Sequence, residues 1–294
     1  MSHVVAEIAS QPECWARAAA VAAGAPAGLP VPGERIAVVG CGTSLYMAQS
    51  YARLREDAGL GETDAFAASE FPARRAYDRV LALTRSGTTT EVLDLLRALG
   101  GTTRTTAVTA DPDTPVMEAA DEVVVLDFAD ERSVVQTRFA TTALTLLRAG
   151  LGLHGERVEA DGRVALEQPL PEGLLDARQF TFLGAGWTTG LAQEAALKLR
   201  EAALAWSEAY PAMEYRHGPI SIAAPSTVTW SLGPAPDGLA EQVRATGARW
   251  IEGGLDPLAE LVRVHRLAAA LAEARGLDPD APRNLTRSVV LAGA

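Results

Sequence analysis

Two short segments concentrate hydroxyl and glycine residues in a pattern that suits an anion. Gly40-Cys41-Gly42-Thr43-Ser44 and Thr84-Arg85-Ser86-Gly87-Thr88-Thr89-Thr90 each follow an apolar run and lead into a helical pattern. Hydroxyls and backbone N–H groups at a helix N-terminus hold phosphate, and glycine lets the backbone approach it closely. No acidic cluster accompanies the loops, and neither ends in the Gly-Lys-Ser/Thr of a P-loop, so phosphate fits better than a metal or an NTPase site. Neither Gly-X-Gly reaches a third glycine at the spacing a dinucleotide fold requires. The competing explanation is structural, since Ser and Thr at these positions commonly cap the following helix.

A second constellation carries ionisable groups. Glu194, Lys198 and Glu201 stand at i, i+4 and i+7 and so share one helix face. Their neighbours Ala195, Ala196, Leu197, Leu199, Ala202 and Ala203 predict a largely buried helix whose charges face a cleft. Burial in a cleft is one way in which a carboxylate can be tuned to move protons. The alternative is a solvated Glu–Lys stripe, worth about 0.2–0.5 kcal/mol per pair. Downstream, Glu214-Tyr215-Arg216-His217-Gly218-Pro219 reads as a loop presenting His217, a side chain that titrates near neutral pH. His3, His154 and His265 are read as non-catalytic.

The elements that must position these residues repeat along the chain. Arg35 to Val39 reads as a strand before the first glycine loop, and Gln179 to Leu183 as a strand before Gly184, Gly186, Thr188 and Thr189. Gly184 follows Gly40 by 144 residues, and Gly247 follows Gly100 by 147. A further pair, Val80 to Thr84 and Thr227 to Leu232, also precedes a glycine loop and a helix, which predicts a tandem duplication of one α/β domain. With strands at Thr105 to Thr109, Glu122 to Asp127 and Arg249 to Ile251, the expected fold is α/β, two tandem doubly wound parallel-sheet, flavodoxin-like domains. Pro169, Pro171 and Gly173 place the boundary so that the domains span 1–165 and 166–294. Ala18 to Gly33 reads as a surface connector. In copy two, Gly233-Pro234-Ala235-Pro236 has lost the hydroxyls of Ser86 to Thr90, so phosphate binding is assigned to copy one and the ionisable groups to copy two.

Composition sets the outer limits. The 294 residues, 48% hydrophobic and 21% charged, describe a folded globular protein. A net charge of -11 argues against nucleic acid and anionic membrane as partners. Two cysteines in no metal-like spacing predict no zinc site, no disulfide framework and a reducing compartment. Without a leader-like start or a run of 18 apolar residues, the expected location is cytoplasmic. Of 26 basic residues only Lys198 is a lysine.

As an ordered set, these motifs resemble the sugar isomerase (SIS) domain family, and within it the isomerase half of glucosamine-6-phosphate synthase and its stand-alone relatives. The resemblance runs over nearly the whole chain. It adds Ala68-Ser69-Glu70-Phe71, Glu208-Ala209-Tyr210 and Pro282-Arg283-Asn284-Leu285 to the segments above. It implies a tandem SIS homodimer with active sites shared near the subunit interface. It further implies that Thr43, Ser44, Thr84, Ser86 and Thr89 hold the substrate phosphate and that Glu201 moves a proton between C1 and C2. By the same resemblance, His217 reaches in from the neighbouring subunit to help open the sugar ring, and Lys198 stabilises an enediolate.

Three departures from the family pattern bear on activity. Ser2 stands in place of a nucleophilic cysteine and little chain precedes the first strand, which predicts no glutaminase domain and no glutamine-dependent amination. Arg85 replaces a glutamine and adds a cation expected beside the phosphate or sugar. Arg287 replaces the family's sugar-reactive lysine, and a guanidinium forms no Schiff base, although it remains a candidate substrate contact. The resulting expectation is an isomerase or deaminase of a 6-phosphorylated, preferably amino, sugar, using no metal and no organic cofactor. The alternatives are a dehydratase using the same base and a non-catalytic sugar-phosphate sensor. Against the sensor stand the short N-terminal segment and the lack of a basic patch.

Overall fold

The computed structural model describes residues 2–291. These form two compact units, each built on its own parallel sheet. The five-stranded unit comprises Glu13–Arg132, Gln136–Gly155 and the tail from Thr286; the four-stranded unit comprises the chain up to Pro12, Ser133–Val135 and Glu156–Leu285. Residue 1 and residues 292–294, the ends of the ranges expected for the two domains, lie outside the described residues.

Helix α1 (His3–Ala9) belongs to the four-stranded unit, where the Asp280 carboxylate accepts from the N–H groups of His3 and Val4 at 2.7 Å each. Helix α2 (Gln11–Ala23) corrects the expectation of a surface connector from Ala18 onward. Ala18 is fully buried, and so is Trp15, whose indole N–H donates to Thr141 Oγ1 at 2.9 Å. An alanine-rich stretch has no strong apolar period, yet it packs as a helix wherever its small side chains let it approach the core closely.

The five-stranded unit continues with β1 (Ile36–Gly40), α3 (Thr43–Asp57), β2 (Thr63–Ala67), β3 (Arg79–Leu83), α4 (Thr90–Leu99), β4 (Arg104–Thr109), α5 (Val116–Ala119), β5 (Glu122–Val125) and α6 (Arg138–Gly150). The strand order is β2-β1-β3-β4-β5, all parallel, with Val38 in register with Ala65 on one side and Leu81 on the other. Every residue of β1 and β3 is buried, as parallel strands covered on both faces must be. One face packs Ala37, Val39, Val80 and Ala82 against Val92, Leu93 and Leu96 of α4.

The four-stranded unit contains α7 (Val158–Glu167), β6 (Gln179–Gly184), α8 (Thr188–Ala203), β7 (Ser207–Pro211), β8 (Thr227–Ser231), α9 (Leu239–Ala245), β9 (Arg249–Glu252) and α10 (Pro257–Ala274). Its order is β7-β6-β8-β9, again all parallel. Helices α8 and α10 pack on each other. In each unit the first strand ends in a glycine with no room for a side chain. A Cβ on Gly40 would lie 2.7 Å from Ser44, and one on Gly184 would lie 2.2 Å from the Thr188 carbonyl oxygen. These glycines let the next helix begin pressed against the strand end, which aims its N-terminus at the carboxyl edge of the sheet.

Candidate active site

In the five-stranded unit, the loops after β1 and β3 bring the expected hydroxyls to the N-termini of α3 and α4. Thr43, Ser44, Thr84 and Ser86 are buried, and Thr89 is half-buried. Capping does not use them up: Gly42 and Thr89 occupy the N-cap positions of α3 and α4, and neither helix has a side-chain cap bond. Among the described residues, the side-chain hydroxyls of Thr43, Ser44, Thr84 and Thr89 have no hydrogen-bond partner. Ser86 Oγ accepts from Thr88 N at 3.3 Å and from Thr88 Oγ1 at 3.1 Å.

The chain's last described residues lie on the second loop. Ser288 Oγ accepts from Thr88 Oγ1 at 2.8 Å, the Val289 carbonyl accepts from Thr90 N at 3.1 Å, and Leu291 N donates to Thr90 Oγ1 at 3.0 Å. The two arginines expected at the substrate are both engaged with protein groups. Arg85, 1% exposed, lies 3.7 Å from Glu131 Oε2 and donates to the Arg287 carbonyl at 2.9 Å. Arg287 in turn pairs with Asp130 at 2.5 Å and donates to the Glu131 carbonyl. The fully buried Glu131 carboxylate accepts from the N–H groups of Thr137, Arg138 and Phe139, so it sits at the positive end of α6. Cys41 on the first loop is half-buried, and burial pushes its thiol pKa up, which suppresses the thiolate.

In the four-stranded unit, α8 carries Glu194, Lys198 and Glu201 on one face, as the spacing requires, but with unequal access. Glu194 and Lys198 are buried, with Nζ 3.5 Å from Glu194 Oε1 and hydrogen-bonded to Glu201 Oε2. The Glu201 side chain, 19% exposed, opens into a cavity of about 230 Å3 bounded by Leu204 and the segment 276–283. Only the last of the three charges therefore faces open space. A larger cavity of about 790 Å3 beside α1, α7 and α10 is mainly apolar and holds none of the expected site residues.

His265 on α10, expected to be non-catalytic, is a buried neighbour of this cluster. It is 1% exposed, and Gln11 Nε2 donates to its Nδ1 at 3.2 Å. Burial, and then the Lys198 charge, push its pKa down to about 3, so the ring is neutral. The sequence signal was its spacing from Leu258, Leu261 and Ala268, which places it on the helix face that packs inward. His217 is exposed at the end of a short 3-10 turn, Glu214–His217. The turn is anchored by buried Tyr215, whose hydroxyl lies 3.3 Å from Thr229 Oγ1, and by Arg216, which donates to Gln242 and the Asp237 carbonyl.

Among the described residues, no group of three or more His, Cys, Asp or Glu is placed to hold a metal, and no helix is long and apolar enough to cross a membrane. No family model matches the chain. It is 30% identical over 306 residues to the glutamine–fructose-6-phosphate aminotransferase [isomerizing] of Methanothermobacter thermautotrophicus, an alignment covering 88% of this chain and 52% of that one. The chain thus spans about half the length of the curated relatives it matches. The crystal structure of glucosamine-6-phosphate deaminase from Thermotoga maritima superposes with a TM-score of 0.79 at 25% identity, covering 99% of this chain and 100% of that one. The C-terminal domain of the Francisella tularensis glucosamine-fructose-6-phosphate aminotransferase shares the fold, with a TM-score of 0.82 at 20% identity over 96% of this chain and 99% of that one. The homologues and structural neighbours of this two-sheet α/β chain are accordingly phosphosugar isomerases, deaminases and isomerizing aminotransferases.

Proposed function

We propose that this protein is a tandem-SIS enzyme that isomerises or deaminates a 6-phosphorylated sugar, preferably an amino sugar such as glucosamine 6-phosphate. The observation that carries the reading is Glu201, a carboxylate locked by a buried lysine on one side and open to a cavity on the other. Such a group has the fixed position and the access that abstraction of a proton next to a carbonyl requires. In this reading the hydroxyls of Thr43, Ser44, Thr84, Ser86 and Thr89 hold the phosphate, which anchors the sugar while its ring opens. Support comes from the hydroxyls that remain available because the helix caps are not made.

Lys198 acts here mainly on Glu201, holding the carboxylate in one orientation. Arg85 and Arg287 bind the tail to the second loop and shape the phosphate site from behind. The division of labour proposed from sequence follows: residues 1–165 supply the phosphate loops, and 166–294 supply the base. The matching strand orders of the two sheets support descent from a duplicated domain. The exposure of His217 on an anchored turn supports a role in the active site of a second copy within a homodimer.

Proton NMR in D2O with glucosamine 6-phosphate, N-acetylglucosamine 6-phosphate and fructose 6-phosphate tests the reading. Deuterium exchange at C2 with ammonia or ketose appearing supports it. A vinyl signal would instead establish a dehydratase, and line broadening without exchange would point to a sensor.

A further inference from the structure

Proton abstraction next to a carbonyl leaves negative charge on oxygen, and Lys198 is poorly placed to receive it. Its ammonium is 1% exposed and enclosed between Glu194 and Glu201. A different cation reaches the open space. The cavity that Glu201 enters is also lined by Leu204, Asp278, Pro282 and Arg283. Arg283 is exposed, and among the described residues no hydrogen bond or ion pair engages its guanidinium. Asp278 Oδ1 accepts from Asp280 N at 2.9 Å, and among the described residues no ion pair joins its carboxylate to Arg283.

The backbone on either side holds Arg283 in place. Pro282 before it is buried and has its φ set by the ring. Asn284 after it adopts φ 61°, a left-handed conformation that asparagine tolerates better than most residues other than glycine. A sharp bend thus presents a guanidinium with no protein partner at the mouth of the space that contains the base.

We propose that Arg283 is a catalytic residue of the reaction, binding the oxyanion that forms as Glu201 takes the proton. This rests on the reading of Glu201 as the base. The carboxylate removes the proton from the carbon next to the carbonyl of the open-chain sugar. The C–H electron pair becomes the C=C bond of the enediolate, and the carbonyl π pair moves onto its oxygen, which faces Arg283. The C=C pair then takes the proton held by Glu201 at C1, while the proton on the C2 heteroatom passes to the C1 oxygen and discharges the oxyanion. The bond pair that this proton leaves becomes the C2=O of the ketose, or the C2=N that water hydrolyses with release of ammonia. Arg283 forms no bond in the step and acts purely as a fixed electrostatic partner.

The test compares wild type with R283Q and R283K, both at an exposed position where folding is undisturbed. Two measurements are made: the rate of C2 deuterium exchange, and calorimetric affinity for a phosphorylated aldonohydroxamate, which carries a planar oxyanion, against the matching phosphorylated alditol, which carries none. R283Q is expected to slow exchange by about 100-fold with KM within about threefold, to lose a similar factor for the hydroxamate, and to keep its affinity for the alditol. R283K restores part of both losses. Exchange within about threefold of wild type, or equal loss of both probes, overturns the role of Arg283 alone. A wild-type protein that exchanges none of the sugar phosphates overturns the isomerase reading and this role with it.

Discussion

Replacing Lys198 by methionine keeps the unbranched apolar stem and removes the charge. The consequence follows from what the ammonium leaves behind. Glu194 is fully buried with Lys198 Nζ 3.5 Å away, whereas the Glu201 side chain is 19% exposed and regains water once released. Removing one partner of a buried ion pair costs about 3–5 kcal/mol, because the other charge stays buried without its counterion. At about 2–4 °C per kcal/mol for a protein of this scale, the melting temperature falls by about 6–20 °C. Urea denaturation at pH 7 of wild type, K198M and the double variant E194Q/K198M measures it. The double variant recovers at least half of the loss, since a neutral amide needs no counterion. A loss below about 1 kcal/mol at pH 7, or one that E194Q leaves unchanged, refutes the argument that this pair is a buried electrostatic unit. Lys198 is the sole lysine, so NMR with 15N-labelled lysine reads the same site as a single resonance.

Glu201→Gln should reduce turnover by about 100- to 10,000-fold while leaving sugar-phosphate binding largely intact; turnover near wild type would remove Glu201 as the base. Ser86→Ala with Thr89→Ala should weaken binding of the phosphorylated sugar by about 10-fold or more per lost charged hydrogen bond, with little effect on affinity for the unphosphorylated sugar. Equal affinity in calorimetry would move the phosphate elsewhere. The depressed pKa of His265 makes stability depend on pH: its neutral ring is matched by the unfolded chain above about 6.5, and stability is lost as pH falls from there toward about 3, at up to about 1.4 kcal/mol per pH unit. H265N, which keeps an acceptor for Gln11, should flatten that slope, and an unchanged slope in acid denaturation would locate the titrating group elsewhere.

Much of the frame was legible because its signals are local. The strands β1, β3, β6 and β8 lie inside their sheets with every residue buried, so they appear as runs dominated by apolar, aromatic and β-branched residues. The strands missed were β2 and β7, which lie at the sheet edges, are only partly buried, and contain Thr63, Asp64, Ser207 and Glu208. Their pairing, not their composition, makes them strands. Spacing along α8 likewise placed Glu194, Lys198 and Glu201 on one face, because helix geometry relates residues four and three apart without reference to the rest of the chain.

Access to those charges was a different matter. Residue type and spacing alone determined the two parallel sheets' inner strands, the hydroxyl loops at the helix starts and the charged face of α8. Tertiary structure decided that Lys198 is enclosed while Glu201 opens to a cavity, that Gln11 meets His265 across 254 residues of chain, and that Arg85 meets the Arg287 carbonyl across 202. It also decided that Arg283, distant in sequence from α8, lines the space beside Glu201. The physical reason is that periodicity specifies only which face of an element a side chain occupies. Whether that face meets water, a counterion or another buried ring depends on which element packs against it, and that is settled by the chain as a whole.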